Sequence, residues 1–188
     1  MNNIVSLNKD DQGALDLVPL FLRYKKAQSR RSHWQRLWDE AYSYALPQRD
    51  HADENSVPGA RKMDRLYDAT ALDAVEKLSA SLMGNLTPPW TQWFGLKPGP
   101  DLSPSEAETL APVLEKAAKT IQAHFDRSNF IVEIHQCFLD LVVGGTASLV
   151  FEEASPGGFS AFKFSAIPMN NIVLEEGENG RLNTSFRP

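Results

Sequence analysis

The sequence predicts an α+β fold, in which long helices come first and a small antiparallel β-meander follows. Up to about residue 143, apolar residues recur every three or four positions, which is the spacing of one helix face. From residue 146 onward, short apolar runs alternate with turn residues, which is typical of antiparallel strands. Because helices and strands are segregated along the chain, we expect an α+β architecture and not an alternating α/β one.

A first long helix is predicted over 18–46, after a polar arm over 1–16 that we expect to be flexible. Pro19 suits the first turn of this helix, and Pro47 ends it. The polar segment 48–64 then predicts a long surface loop. One face of the helix carries the apolar residues Leu20, Tyr24, Ala27, Trp34, Trp38, Ala41 and Ala45.

A second helix is predicted over 68–86, where Thr70 and Asp73 have the spacing of a capping box. Pro88-Pro89 ends this helix, and the aromatic segment 90–97 after it predicts a short strand. Many residues off the apolar stripe are small, which either lets another helix or subunit approach closely or reflects helix propensity alone. These small residues are Ala71, Ala74, Ser79, Ala80 and Ser81.

The third and fourth helices are predicted over 104–127 and 130–143. Ser103, Pro104 and Glu106 supply an N-cap, a proline in the first turn and a capping-box glutamate for the third helix. Gly144-Gly145 has the composition of a helix C-cap and ends the fourth. Four strands are predicted after these helices, over 146–153, 159–167, 172–175 and 181–186.

Turn residues join the predicted strands into two hairpins. Ser155-Pro156-Gly157-Gly158 connects the first pair, and Asn179-Gly180 is the turn dipeptide of the second. We therefore expect 17–188 to form one α+β region. Its last strand ends only two residues before the end of the chain, which predicts a fragment of a longer subunit.

Composition and charge exclude several classes of protein. The net charge of −5 argues against a general nucleic-acid coat, which is normally basic, but it is compatible with a DNA channel that contacts phosphates only loosely. The single cysteine excludes a disulfide framework within the chain and indicates a reducing compartment. The sequence carries no secretory signal pattern and no apolar run of membrane-spanning length, so no membrane partner is predicted.

A search for catalytic, cofactor and metal sites finds none. Cys137 and His135 are two positions apart on a predicted helix and point in different directions, so a buried structural thiol is the favoured interpretation. The order helix, Gly144-Gly145-Thr146, strand is the reverse of a phosphate loop. The four histidines are scattered, and none has metal-ligand spacing. We therefore predict no cofactor and no enzymatic activity.

The first helix also carries a candidate basic face. Trp34 and Trp38 fall on its apolar stripe, which favours a role in the core or in an interface. The cations are interpreted as a solvated face, with nucleic-acid contact as the alternative. The candidate basic face consists of Lys25, Lys26, Arg30, Arg31 and Arg36.

Three segments, taken in order, resemble the head-to-tail connector, or portal, proteins of short-tailed, T7-like phages. The first is the helix end Tyr42-Ser43-Tyr44-Ala45-Leu46-Pro47 followed by a polar loop. The second is the helix end at 78–84, which breaks into Leu86-Thr87-Pro88-Pro89 and an aromatic segment. The third is 138–153, where a helix turns through two glycines into a strand that ends in acids. The resemblance covers about 20–187, including the last hairpin.

The resemblance implies a wing-like region of a portal subunit, in its N-terminal portion only. Such subunits form a ring, usually of twelve, through which double-stranded DNA is packaged and ejected and which joins head to tail. The implied partners are other copies of the subunit, the terminase motor, and scaffolding, capsid and tail adaptor proteins. The implied location is the virion, after assembly in the host cytoplasm, and no catalysis belongs to the ring.

A ring requires lateral contacts, for which aromatic residues are the candidate anchors. The alternative for each of them is a place in the core of its own subunit. Two other functions stay open: a small non-enzymatic helical adaptor that is complete at this length, and a hydrolase whose site the sequence does not reveal. The candidate interface anchors are Trp34, Trp38, Trp90, Trp93 and Phe94.

Overall fold

The computed structural model describes residues 17–49, 66–177 and 179–187 and confirms an α+β fold. The predicted arm over 1–16 lies outside the described residues, as does the predicted loop over 48–64 beyond Arg49. Four helices come first: α1 (Val18–Ala45), α2 (Thr70–Leu86), α3 (Pro104–Arg127) and α4 (Phe130–Gly144). Four strands follow: β1 (Ser148–Glu153), β2 (Phe162–Ile167), β3 (Val173–Glu176) and β4 (Leu182–Phe186).

The strands form two separate antiparallel hairpins, β1–β2 and β3–β4, and not one continuous meander. A 3-10 turn at Met169–Asn171 separates β2 from β3 and redirects the chain between them. The first hairpin is regular, with Ser148 opposite Ile167 and Glu153 opposite Phe162. The second has an irregularity between Glu175 and Glu176 and turns through Gly180 at a φ of 68°, so the predicted turn dipeptide lies in the turn.

Local sequence explains where two of the helices begin. The Ser103 side chain accepts a hydrogen bond from the Glu106 backbone N–H, and the Glu106 carboxylate accepts one from the Ser103 backbone, so the predicted capping box forms. The box predicted from Thr70 and Asp73 does not form. The Asp68 carboxylate accepts from the Thr70 backbone N–H at 3.0 Å and from its hydroxyl at 2.7 Å, and this local turn occupies the helix start instead.

The strand predicted over 90–97 is wrong, because this segment has no strand conformation. In a strand, the neighbours Trp93 and Phe94 would face opposite sides. Here their ring centroids lie 5.0 Å apart and both pack on Phe125, Trp93 at 5.5 Å and Phe94 at 5.8 Å. Trp93 also stacks on Phe130. Packing on α3 and α4 therefore overrides the strand preference of the aromatic residues.

Trp38 joins the helical part of the molecule to the strand part. One buried cluster consists of Tyr42, Leu46, Val75 and Leu139, and Trp38 packs against it. Trp38 also packs against a second buried cluster, Ile167, Met169 and Ile172. Its indole N–H donates to the Gly144 carbonyl at 3.0 Å, where α4 ends and the strands begin. Among the described residues, no helix is long and apolar enough to span a membrane.

Candidate functional site

A buried ion pair fixes the end of α1 against α4. The Asp140 side chain is 2% exposed and accepts hydrogen bonds from Arg49 Nη2 at 2.7 Å and Arg49 Nε at 3.1 Å. The Tyr42 hydroxyl donates to the same carboxylate at 3.0 Å, and Arg49 also donates to Gln136. Burial and the Asp140 charge raise the pKa of Tyr42 well above its usual value, so the hydroxyl stays protonated and can donate. The sequence analysis missed this network.

The Cys137 thiol lies in a position that makes it unreactive. Its Sγ lies 3.6 Å from the Ser148 carbonyl, to which it donates. Burial, and to a smaller extent the Asp140 carboxylate, raises the pKa of the thiol to about 11, whereas reactive cysteines have a lowered pKa. His135 lies instead beside Glu76, with 3.7 Å between Nε2 and Oε2. Nothing in this arrangement activates the thiol as a nucleophile.

One member of the candidate basic face points inward. Arg31 Nη1 donates to the Ile172 carbonyl at 2.7 Å and to the Asn170 carbonyl at 3.2 Å. Its guanidinium lies 5.4 Å from the ring centre of Trp38, and burial lowers its pKa from the usual value. The solvated interpretation is therefore wrong for Arg31, because its guanidinium is partly buried and donates to carbonyls of the segment between β2 and β3.

A second arginine, which the sequence analysis did not assign, ties α1 to the second hairpin. Arg23 Nη2 lies 2.5 Å from Glu175 Oε2 and donates to the Thr184 hydroxyl at 3.0 Å, so it contacts both β3 and β4. The hydrogen bond from Arg23 lowers the pKa of Glu175, and the hydrogen bond to Glu175 raises the pKa of Arg23. The signal available in the sequence was an arginine beside the apolar stripe of the first helix.

The other four cations of the candidate basic face, Lys25, Lys26, Arg30 and Arg36, are exposed. Lys26 and Arg30 line an open groove of about 1380 Å³ between α1 and the β3–β4 hairpin. Trp34 lines the same groove and is 60% exposed. The wall on the hairpin side includes Leu174, Arg181 and Leu182. The groove also carries the acids Glu175, which is bonded to Arg23, and Glu176. This surface therefore offers apolar contact area and charges of both signs, with cations in the majority.

The five candidate anchors divide into two groups. Trp34 and Trp90 are 60% and 76% exposed and are free to contact a partner. Trp38 packs between the two buried clusters, and Trp93 and Phe94 pack on Phe125. The last three serve the core of their own subunit, which is the alternative that the sequence left open. Their role as anchors was predicted from residue type alone, and exposure now ranks Trp34 and Trp90 first.

Within the part of the chain that the structure describes, the first half of helix α3 has an exposed face that no other element covers. Its C-terminal half packs into the molecule through Ala118, which is buried, and through Phe125 in the aromatic cluster. Glu106, Leu110 and Val113 lie on one face by their spacing, and all three are exposed, Val113 to 62%. A large exposed apolar side chain on a regular helix face is a feature of interaction surfaces.

The described residues contain no cluster of three or more histidine, cysteine or carboxylate side chains that could hold a metal ion. A model of the family described as bacteriophage head to tail connecting protein matches residues 20–188 of the chain. No curated protein matches the sequence.

Proposed function

Because the chain belongs to the bacteriophage head to tail connecting protein family, we propose that it forms the ring through which phage DNA passes between head and tail. Membership makes the chain a structural component of the phage virion that assembles with other head and tail components. The family is not known for enzymatic activity. We propose the ring, the passage of DNA through it, and its likeness to the connectors of short-tailed T7-like phages. The observation that carries them is the family match over residues 20–188.

The exposed surface of the chain supports self-association. A closed ring requires two different complementary surfaces on each subunit, so that each copy binds the next one head to tail. Trp34 and Trp90 are exposed aromatic residues of the kind that dominate protein interfaces. The uncovered face of α3 is a further apolar surface. We propose twelve copies in the ring.

The acidic balance of the chain suits a channel for DNA. The net charge is −5, so a ring of such subunits repels phosphates on average and does not hold the duplex tightly. DNA can then slide, while the packaging ATPase of the terminase motor supplies the energy. We propose that the ring also binds scaffolding, capsid and tail adaptor proteins during assembly, in the host cytoplasm.

The experiment is a disruption of the gene in the phage that encodes it. A nonsense codon early in the gene should abolish DNA-filled, tailed particles, and supply of the wild-type protein from a plasmid should restore them. Light scattering on the purified wild-type protein should show a mass many times that of one subunit. Normal yields of DNA-filled, tailed particles from the disrupted phage would overturn the proposal.

A further inference from the structure

We propose that two turns in the first half of α3 in one copy, from Glu106 to Val113, lie in the groove between α1 and the β3–β4 hairpin of the next copy. The contacting face of α3 consists of Glu106, Leu110 and Val113. The groove is the one lined by Lys26, Arg30 and Trp34 on one side and by Leu182 on the other. This inference rests on the proposed ring, and it identifies the two surfaces that meet.

Charge is distributed in a complementary way between the two surfaces. Residues 17–38, which include most of α1, contain six cations and no acid. Residues 98–115, which include the first half of α3, contain four acids and no cation. Two of the six cations, Arg23 and Arg31, are bonded within the subunit, and four remain exposed. Opposite charges of this kind favour contact between α3 of one copy and the groove of another. They disfavour contact between two grooves or between two α3 helices.

The apolar parts of the two surfaces also match. Leu110 and Val113 follow Glu106 at four and seven positions, which is the spacing of anchors when a helix lies in a groove. The groove offers Trp34 and Leu182, both largely exposed, as apolar contacts. Lys26 and Arg30 lie on the same wall and face solvent, where they can pair with Glu106 of the neighbour.

The dimensions of the groove fit a short piece of helix. Eight residues of α-helix are about 12 Å long and 10–12 Å wide, and a cylinder of this size fills about 900–1,400 Å³. The groove has a volume of about 1380 Å³. The groove is therefore large enough to receive two turns of α3, from Glu106 to Val113.

Within one copy, both surfaces are exposed: Val113 of α3 is 62% exposed and Trp34 of the groove is 60% exposed. Helix α1 packs against α2, α4 and β3, whereas α3 packs against α4. The proposed contact therefore joins α3 of one copy to the groove of the next, which is a different surface. Such a head-to-tail contact is the kind that generates a ring when its rotation closes.

The test uses two variants that carry opposite charge changes. In the groove variant, Lys26→Glu and Arg30→Glu place acids opposite Glu106 of the next copy. In the helix variant, Glu106→Lys places a cation opposite Lys26 and Arg30 of the next copy. Each variant alone should require about a hundredfold higher concentration for assembly, because like charges in contact cost several kcal/mol. An equimolar mixture should assemble as the wild type does, since each kind of copy then meets a complementary neighbour.

Matched controls separate the effect of the proposed contact between α3 and the groove (the seam) from general effects of charge. Lys77→Glu with Lys163→Glu makes the same change in net charge at exposed positions away from the groove. Glu108→Lys makes the same charge change as the helix variant, at an exposed position on the opposite side of α3. Both controls should assemble as the wild type does, and circular dichroism should show that every variant is folded.

Assembly is measured by light scattering and by particle images. Unchanged assembly of the groove variant alone would overturn the proposed seam, as would a failure of the mixture to recover. If the groove variant forms normal rings but those rings no longer contact DNA, the groove binds DNA and the seam is also overturned. If the wild type itself stays monomeric, the proposed ring function fails, and this result is distinct from failure of the seam alone.

Discussion

The buried pair of Asp140 and Arg49 makes a strong prediction about stability. Replacing Arg49 by Met removes the guanidinium and keeps most of the side-chain volume. The Asp140 carboxylate then stays buried, at 2% exposure, and has lost the Arg49 guanidinium that offsets much of its desolvation. Breaking a buried pair by removing one partner costs about 3–5 kcal/mol of unfolding free energy. Replacing Tyr42 by Phe removes one hydrogen bond to the same charged group and should cost about 1.5–3 kcal/mol.

The assay is urea unfolding at pH 7, followed by tryptophan fluorescence at one fixed protein concentration. Removing both charges, with Arg49→Met and Asp140→Leu together, should cost less than Arg49→Met alone, because the buried carboxylate that has lost Arg49 is then removed as well. Lys77→Met is the control. It breaks an exposed pair with Asp73 and should cost only about 0.3–0.5 kcal/mol. A cost of this small size for Arg49→Met would refute the role given to the buried pair.

Three further predictions follow from single sites. Gly145→Ala should lower the free energy of unfolding by about 1–2 kcal/mol in the same urea assay. Gly145 has a φ of 71°, and an added Cβ would meet no atom within 4 Å, so backbone strain is the only cost of the substitution. Glu175→Gln should lower the free energy of unfolding by under about 1 kcal/mol at pH 7. Because Arg23 lowers the pKa of Glu175, this difference should persist through the usual titration range of a glutamate and be lost only as the pH falls through the lowered pKa. Cys137 should react with a thiol reagent at pH 8 only after urea is added, because its pKa is raised to about 11, and rapid labelling of the native protein would contradict this.

The helices could be predicted from the sequence because their boundaries depend on local chemistry. Pro104 and the Ser103 capping box place the start of α3, and Pro47 and Gly145 mark the ends of α1 and α4. The hairpins were predictable for the same reason, since turn residues fix their position. Local signals failed where tertiary packing dominates: the aromatic segment 90–97 packs on α3 and α4 and forms no strand.

The polar network could not be predicted, because it joins residues that are far apart in sequence. Arg49 and Asp140 are separated by 91 positions, and no local sequence pattern at either residue predicts that the two interact. A carboxylate between Leu139 and Leu141, in the apolar second half of α4, was the available hint. Arg31 could not be assigned from the sequence for the same reason. The sequence groups it with the solvated cations, but it bonds to carbonyls about 140 positions away.

The candidate anchors illustrate how structure refines a prediction made from residue type. All five aromatic residues fit either an interface or a core by sequence. Packing assigns Trp38, Trp93 and Phe94 to contacts within the subunit, whereas Trp34 and Trp90 stay exposed. Trp34 then acquires a specific proposed partner, because it lines the groove that fits the first half of α3. Trp90 remains available for another contact, for which we name no partner.

An image reconstruction of the purified wild-type protein tests the central claim most directly. The account predicts closed rings with a central opening, in which α3 of each copy lies in the groove between α1 and the β3–β4 hairpin of its neighbour. Rings joined through other surfaces would contradict the proposed contact between α3 and the groove, but they would still support the connector function. A protein that remains monomeric at every concentration examined would contradict the connector function itself.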